Sequence, residues 1–410
     1  MQNQQLAEIQ PRYQAMDWLR VIAAAGVVLL HATTPYLVHP MPGLVWPVTD
    51  QSSHFADGIG WGIEIVIMPL FLLMAGFFAY PSFRRLGGHQ FLRNRFHRLI
   101  VPLLVFAPWI LTADCYVWLT GYLVEGYIEP RKLRSLKLDQ GLGEGFWGLS
   151  HLWFLPYLFL YCVVWVFAQS ERLEHVRRTL IRPLWGYLRH GSAGGLVACT
   201  LASTCTLMLW PQIVFGFQHA FLPVPSKWLY SGTYFAGGVL LASQPSLLAG
   251  CAALRRRLLV IGGGALCAAV LFGWQWLEQV VLRDVPGRTL QAIPAAAIPW
   301  QIAAALSTVT AAWSLSLGLI GWGVSSTIAC GPVLRYFAAA SFWVYVFHHP
   351  IVGLAHIQLK VLFPNVLPEA KVFLSMLIAI AFSLLTFELL GRRDPCARLL
   401  GLPADLCKRG

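Results

Sequence analysis

Apolar residues fill ten long stretches of the chain, and polar residues gather between them. The stretches run at about 16–37, 57–80, 99–123, 149–168, 193–211, 227–247, 257–279, 300–322, 334–356 and 371–391. A helix needs about 20 apolar residues to cross a hydrocarbon core, and each stretch is near that length. The run 193–211 is short and rich in Ser and Thr. The pattern predicts an all-α integral membrane protein with about ten transmembrane helices and no soluble domain. It divides into a cytoplasmic segment 1–15, a transmembrane domain 16–391 and a cytoplasmic tail 392–410. No internal repeat or low-complexity segment is visible.

The basic residues predict the orientation. Lys and Arg concentrate in cytoplasmic loops. Arg84, Arg85, Arg93, Arg95 and Arg98 follow the second stretch, and Arg172, Arg177, Arg178, Arg182 and Arg189 follow the fourth. Arg255, Arg256 and Arg257 follow the sixth, and Arg392, Arg393, Arg398, Lys408 and Arg409 follow the last. Residues 38–56 and 212–226 carry no Lys or Arg. The segment 124–148 is mixed, with Arg131, Lys132, Arg134 and Lys137 against Glu125, Glu129, Asp139 and Glu144. Ten spans place all the arginine-rich segments on one side, with both termini in the cytoplasm.

Composition supports a bilayer as the solvent. Of 410 residues, 57% are hydrophobic and 12% charged, about half the charge of a soluble domain. The net charge of +12 sits in short loops, as orientation signals do, so no nucleic-acid partner is expected. The nine cysteines show no CxxC pair and no metal spacing, so they read as small packing residues. No HxxxH or HExxH occurs, and no metal is expected. The polar start MQNQQLAEIQPRYQ does not read as a signal peptide.

Ionisable residues inside spans are costly and point to function. Arg20 and His31 lie eleven residues apart in the first stretch. At 1.5 Å and 100° per residue they sit about 16 Å apart in depth and within about 20° of one face. An anion held at Arg20 and an imidazole deep inside is one reading. An arginine snorkelling to the headgroups and a histidine bonded to a neighbour is the other. Glu64 has a depth similar to His31 and is expected to orient its ring. Asp114 lies in the third stretch and Glu388 in the last, the latter read as structural. His151 and Trp153 open the fourth stretch, where Trp is commonly an interfacial belt residue. Tyr345 and His348 share a face at i, i+3. Of the adjacent His348 and His349, His348 is expected to face inward. Arg93, Arg95 and Arg98 suit phosphates and equally suit a simple orientation signal.

Together these residues resemble the membrane acyltransferase-3 family. The likeness rests on Asp17-x-x-Arg20 and His31 in the first helix, and on Phe71-Leu-Leu-Met-Ala75-Gly76-Phe77, where the family usually has Ser at Ala75. It rests also on Arg95, Arg98 and Pro102, on His151-Leu-Trp-Phe-Leu155, and on Tyr345-x-x-His348-x-Pro350. Five motifs occur in the family's order from residue 16 to beyond 350. Within the family, SHLWFL and YVFHHP look closest to members that succinylate osmoregulated periplasmic glucans.

The resemblance implies a bacterial inner-membrane O-acyltransferase. Its donor is acyl-CoA, as succinyl-CoA or acetyl-CoA, with no permanently bound cofactor. Its acceptor is a periplasmic glucan or related polysaccharide. Arg20, Arg93, Arg95 and Arg98 would hold the CoA phosphates. His31 would act as base or acyl carrier, oriented by Glu64, with Tyr345 and His348 stabilising the oxyanion or holding the acceptor. Asp114, His151 and Trp153 would bind the substrate. A homodimer stays open. The competing class is a transporter or exporter of a polysaccharide or small solute, which also places Arg, His and Glu around a cavity.

Overall fold

The computed structural model describes residues 2–131, 133, 148–171, 193–217, 220–280, 294–326, 331–402 and 406–407. Lys132, Arg134, Lys137, Asp139, Glu144, the five arginines from Arg172 to Arg189, Cys330, Lys408 and Arg409 lie outside the described residues. The main elements are α1 (Gln2–Thr33), α2 (His54–Leu86), α3 (Gly88–Arg95), α4 (Val101–Val124), α5 (Phe154–Ala168) and α6 (Gly194–Leu209). They continue with α7 (Pro225–Ser243), α8 (Pro245–Val280), α9 (Ile298–Ser325), α10 (Pro332–Leu362), α11 (Pro368–Thr386) and α12 (Cys396–Leu400). No strand occurs among the described residues.

A helix occupies each of the ten apolar stretches. Among the described residues, eight are long and apolar enough to cross a membrane. The other two positions hold α6, which is shorter, and α7, whose first turns carry Ser226, Lys227 and Ser231. α1 begins at Gln2, so residues 2–15 of the expected polar segment 1–15 are helical and run directly into the first span. Trp109, Leu104, Val260 and Leu377 are among many large apolar side chains left exposed on the outer surface. Such a girdle is stable against lipid and not against water.

α1 lies inside the bundle, packed on α2, α10, α11 and α9. α2 starts at Ser53, whose side chain accepts from the Ala56 amide, and stops at Gly87, which has φ +72°. α2 also crosses α7 backbone to backbone. A methyl added at Gly76 would overlap the Phe235 carbonyl, and one at Gly238 would overlap the Leu73 carbonyl. The Ala75-Gly76-Phe77 motif thus carries a close helix crossing, for which only glycine leaves room. The arginine-rich segment is helical as well. α3 enters α4 through one π-helical turn at Phe96–Ile100, so the arginines stand on the entrance of the third span.

Residues 37–53 fold back over the opposite end. Trp118 donates to the Val45 carbonyl at 2.9 Å, and Lys360 donates to the Thr49 carbonyl at 2.7 Å. Buried Lys371 pairs with the half-buried Asp50 at 2.8 Å, and Ser53 donates to Glu369. Pro47 is wedged between Gly121 of α4 and Gly353 of α10. Removing one partner from a buried pair such as Lys371–Asp50 costs about 3–5 kcal/mol, so the segment is firmly held and carries Trp46 to a fixed place.

The crossing gives a direct test by thermal unfolding in detergent. Gly76→Val is expected to destabilise by about 2–3 kcal/mol through overpacking. Gly263→Ala, where an added methyl meets open space, is expected to change stability by less than about 1 kcal/mol. Equal effects at both sites would contradict the crossing.

Candidate functional site

Four histidines and one aspartate gather where α1, α4, α10 and the turn Ser150–Trp153 meet. The His31 ring centroid lies 5.0 Å from that of His348, 4.8 Å from that of His349 and 6.3 Å from that of His151. Trp46 stacks over His31 at 6.1 Å with planes 9° apart. The His31 ring therefore faces the protein interior, not lipid, and it keeps some accessible surface while its neighbours His151, His348 and His349 are buried.

The hydrogen bonds define the tautomers of the neutral rings. His348 Nδ1 lies 3.0 Å from the Val344 carbonyl and 2.8 Å from the Tyr345 carbonyl. Carbonyls only accept, so Nδ1 carries the proton and His348 Nε2 is an acceptor. His31 Nδ1 is 3.0 Å from that Nε2 and must donate to it. His31 Nε2 is then left with a free lone pair, the state a general base or nucleophile needs. His356, one residue type the sequence reading passed over, steadies α1 just beyond. It donates from Nε2 to the Ala32 carbonyl at 3.2 Å and accepts from Trp46 at 3.0 Å.

Both adjacent histidines enter the cluster, which corrects the expectation that only His348 would. Their side chains leave α10 about 100° apart, and His31 and Asp114 approach from the two sides of that gap. His349 Nδ1 donates to Asp114 at 2.9 Å, and His349 is stacked between His151 (4.6 Å, 18°) and Trp118 (5.1 Å, 15°). Asp114 Oδ1 is thus engaged by an imidazole, while Oδ2 stays unpartnered. His349 and His356 are seven residues apart, which places them on one helix face, and that spacing was the signal for both.

Glu64 does not orient His31. Gly60 of α2 packs on Thr33, and Ile63 and Ile67 pack on Gly26, so those residues face α1. Glu64 shares that side of α2 but makes no hydrogen bond to His31, whose ring bonds His348 instead, and its electrostatic partner is Lys227 of α7. Lys227 is buried, with its ammonium 3.8 Å from the Trp153 ring centroid. The fourth-stretch motif therefore splits: His151 joins the histidine cluster, and Trp153 stacks under Lys227. Lys227 was missed because it opens a helix, where a lysine reads as an interfacial residue.

Tyr345 does not offer its hydroxyl to an oxyanion. It donates at 2.6 Å to the His151 carbonyl and so fastens the turn that aims His151. His151 in turn donates from Nε2 to the Val346 carbonyl at 3.1 Å.

The arginines stand at the other end of α1. Arg20 pairs with Asp17 at 2.8 Å and lies over Phe78. Arg95 lies over Phe91 and feels the repulsion of Arg98 and Arg20, so the three guanidinium groups share one region. Arg93 and Arg98 are exposed. Arg93, Arg95 and Arg98 form no ion pair among the described residues. Unbalanced cations gathered this way attract an anion with several charges, such as a phosphate chain.

Tyr345→Phe separates the two roles of that residue. Leaving the His151 carbonyl unpaired is expected to cost about 1–2 kcal/mol in thermal stability, with less than about tenfold loss in turnover. A fall of 10²–10³ in turnover, the worth of an oxyanion donor, at unchanged stability would contradict this placement.

Comparison with known proteins adds the family. No curated protein and no solved structure matches the chain. The acyltransferase domain of the acyltransferase-3 family matches residues 13–388, nearly the whole chain. The match spans every helix that contributes to the cluster and to the arginine entrance, and the chain belongs to the acyltransferase-3 family of membrane acyltransferases.

Proposed function

We propose that the chain transfers an acyl group from acyl-CoA, bound at the arginine end, to a hydroxyl of a periplasmic glucan or related polysaccharide reaching the cluster from the other side. The observation that carries this reading is the free lone pair on His31 Nε2, set by His348 and reached along the same helix that bears Arg20. Arg20, Arg93, Arg95 and Arg98 suit the phosphates of CoA, and the pantetheine arm then spans the depth between Arg20 and His31.

In the proposed reaction His31 Nε2 takes the proton of the acceptor hydroxyl as its oxygen attacks the thioester carbon. The C–S bond breaks, the CoA thiolate leaves, and the imidazolium returns the proton to sulfur. The route through an acyl-histidine uses the same lone pair and the same geometry. Trp46 packs over the ring and excludes water from one face.

The finer reading is a succinyl donor and an inner-membrane location, in line with the likeness of SHLWFL and YVFHHP to glucan biosynthesis protein C. Lys227 supports it. Its ammonium is buried over Trp153, with no acid within ion-pair distance among the described residues. Glu64 acts on it electrostatically but makes no ion pair with it, which leaves the ammonium open to an acyl chain that ends in a carboxylate. A neutral acetyl group has no use for it.

Thiol release and glucan acylation by the solubilised protein test this reading. His31→Ala is expected to lower turnover about 10²- to 10⁴-fold with normal membrane insertion. Arg95→Ala and Arg98→Ala are each expected to raise the apparent KM for acyl-CoA about tenfold, the worth of one charge-assisted hydrogen bond. Near-wild-type acylation by His31→Ala would remove His31 as the reacting group, and an unchanged donor KM would leave the arginines as orientation signals. Lys227→Met is expected to lower kcat/KM for succinyl-CoA about 30-fold or more while leaving acetyl-CoA within a few-fold. Equal losses with both donors would sink the succinyl assignment alone.

A further inference from the structure

Asp114 of α4, His151 of the 150–153 turn and His349 of α10 are all buried, and their donor atoms all lie within 4.8 Å of one another. We propose that these three side chains bind a divalent transition-metal ion, with zinc the ion that suits them best. The site goes beyond the acyl-transfer reading and does not depend on it.

Four observations converge on an ion. The first is the carboxylate. Asp114 Oδ1 accepts from His349, but the buried Oδ2 has no partner. A buried carboxyl with one oxygen unsatisfied is expensive, and native structures complete it with an ion, a water or a ligand. No Lys or Arg pairs with it, since its only ion-pair partner among the described residues is His349.

The second is the tautomer of His151. Its Nε2–H donates to the Val346 carbonyl, so Nδ1 carries the lone pair and points toward the cluster. A ligating histidine typically has its other nitrogen bonded to a backbone carbonyl in this way. The third is local strain. Ser150 has φ 50°, the one positive φ at a non-glycine residue among those described. Such strain costs about 1–3 kcal/mol and persists where the surroundings enforce it. Here it holds Ser150 Oγ 3.3 Å from His349 Nδ1 and 3.5 Å from His151 Nδ1, between the two imidazoles.

The fourth is the donor set itself. Two imidazole nitrogens and one carboxylate oxygen are a borderline set that suits zinc, and three protein ligands leave one position open. Zinc–ligand bonds of about 2.0–2.1 Å place tetrahedral ligands about 3.4 Å apart. The widest gap must therefore close by about 1.4 Å, which side-chain torsions of Asp114 and His151 can supply. Binding requires the His349 proton to move from Nδ1 to Nε2, so Nδ1 exchanges its bond to Asp114 for the ion. The ion would lie beside His31, whose ring is 4.8 Å from that of His349.

Metal content tests this independently of turnover. The full chain, purified without a polyhistidine tag and stripped with a chelator, is loaded with Zn²⁺ or Co²⁺, desalted and analysed by elemental mass spectrometry and visible absorption. The expected result is about one ion per chain and the d–d bands of four-coordinate Co²⁺ with nitrogen ligands. Asp114→Asn and His151→Asn are each expected to bind the ion at least about 100-fold more weakly. His97→Asn, at an exposed position, is expected to bind as the wild type does. Should Asp114→Asn fail to fold, His151→Asn and the wild-type Co²⁺ spectrum carry the test. A chain that retains no ion after desalting would overturn the proposal. So would full occupancy in either ligand variant, or a Co²⁺ spectrum without nitrogen ligation.

Discussion

The hydrogen bond from His31 Nδ1 to His348 Nε2 is the contact on which the site depends. It joins α1 to α10, and it decides which nitrogen of His31 is free. That decision is made outside the site, by two backbone carbonyls of α10 that claim the His348 Nδ1 proton. The backbone of α10 thus bears on the protonation pattern of a ring on α1, where the Val27 carbonyl one turn earlier also bonds the His31 ring. Trp46 and His356 hold the same arrangement from the other side, through the stack on His31 and the bond to the Ala32 carbonyl.

Charge is distributed unequally along the bundle. At the far end, the fold-back segment 37–53 is fastened by the paired charges of Lys371 with Asp50 and Lys360 with Glu125 and by the hydrogen bond between His39 and Asp57. At the near end, Arg93, Arg95 and Arg98 have no acid partner among the described residues, and Arg95 is pressed by its cationic neighbours. Paired charges serve packing, while unpaired ones wait for a ligand. The asymmetry fits the proposed entry of an anionic donor from the arginine side.

Periodic features of this fold could be read from the sequence. Ten apolar runs became ten helices, and the eleven-residue step from Arg20 to His31 put both on a helix that faces the bundle interior. What failed were inferences about partners. Glu64 shares the depth of His31, but its electrostatic partner is Lys227 of α7, and the His31 ring bonds His348 instead. Tyr345 shares a face with His348, yet its hydroxyl was claimed by the His151 carbonyl, a tertiary contact that no local spacing encodes. His349 was set aside because adjacent side chains diverge by about 100°. A third helix, α4, fills that divergence with Asp114. Lys227 escaped notice because its importance lies in the lack of an ion-pair partner, which only the packed structure reveals.

In the proposed function one imidazole serves a donor from one side of the membrane and an acceptor from the other. Proteoliposomes with the protein in a single known orientation test it most directly. Acyl-CoA is supplied on one side, glucan on the other, and acylated glucan is measured by mass spectrometry. Product is expected only when the donor faces the arginine end and the glucan faces the 37–53 segment. Product formed with donor and glucan both on the 37–53 side, with none formed across the bilayer, would contradict it.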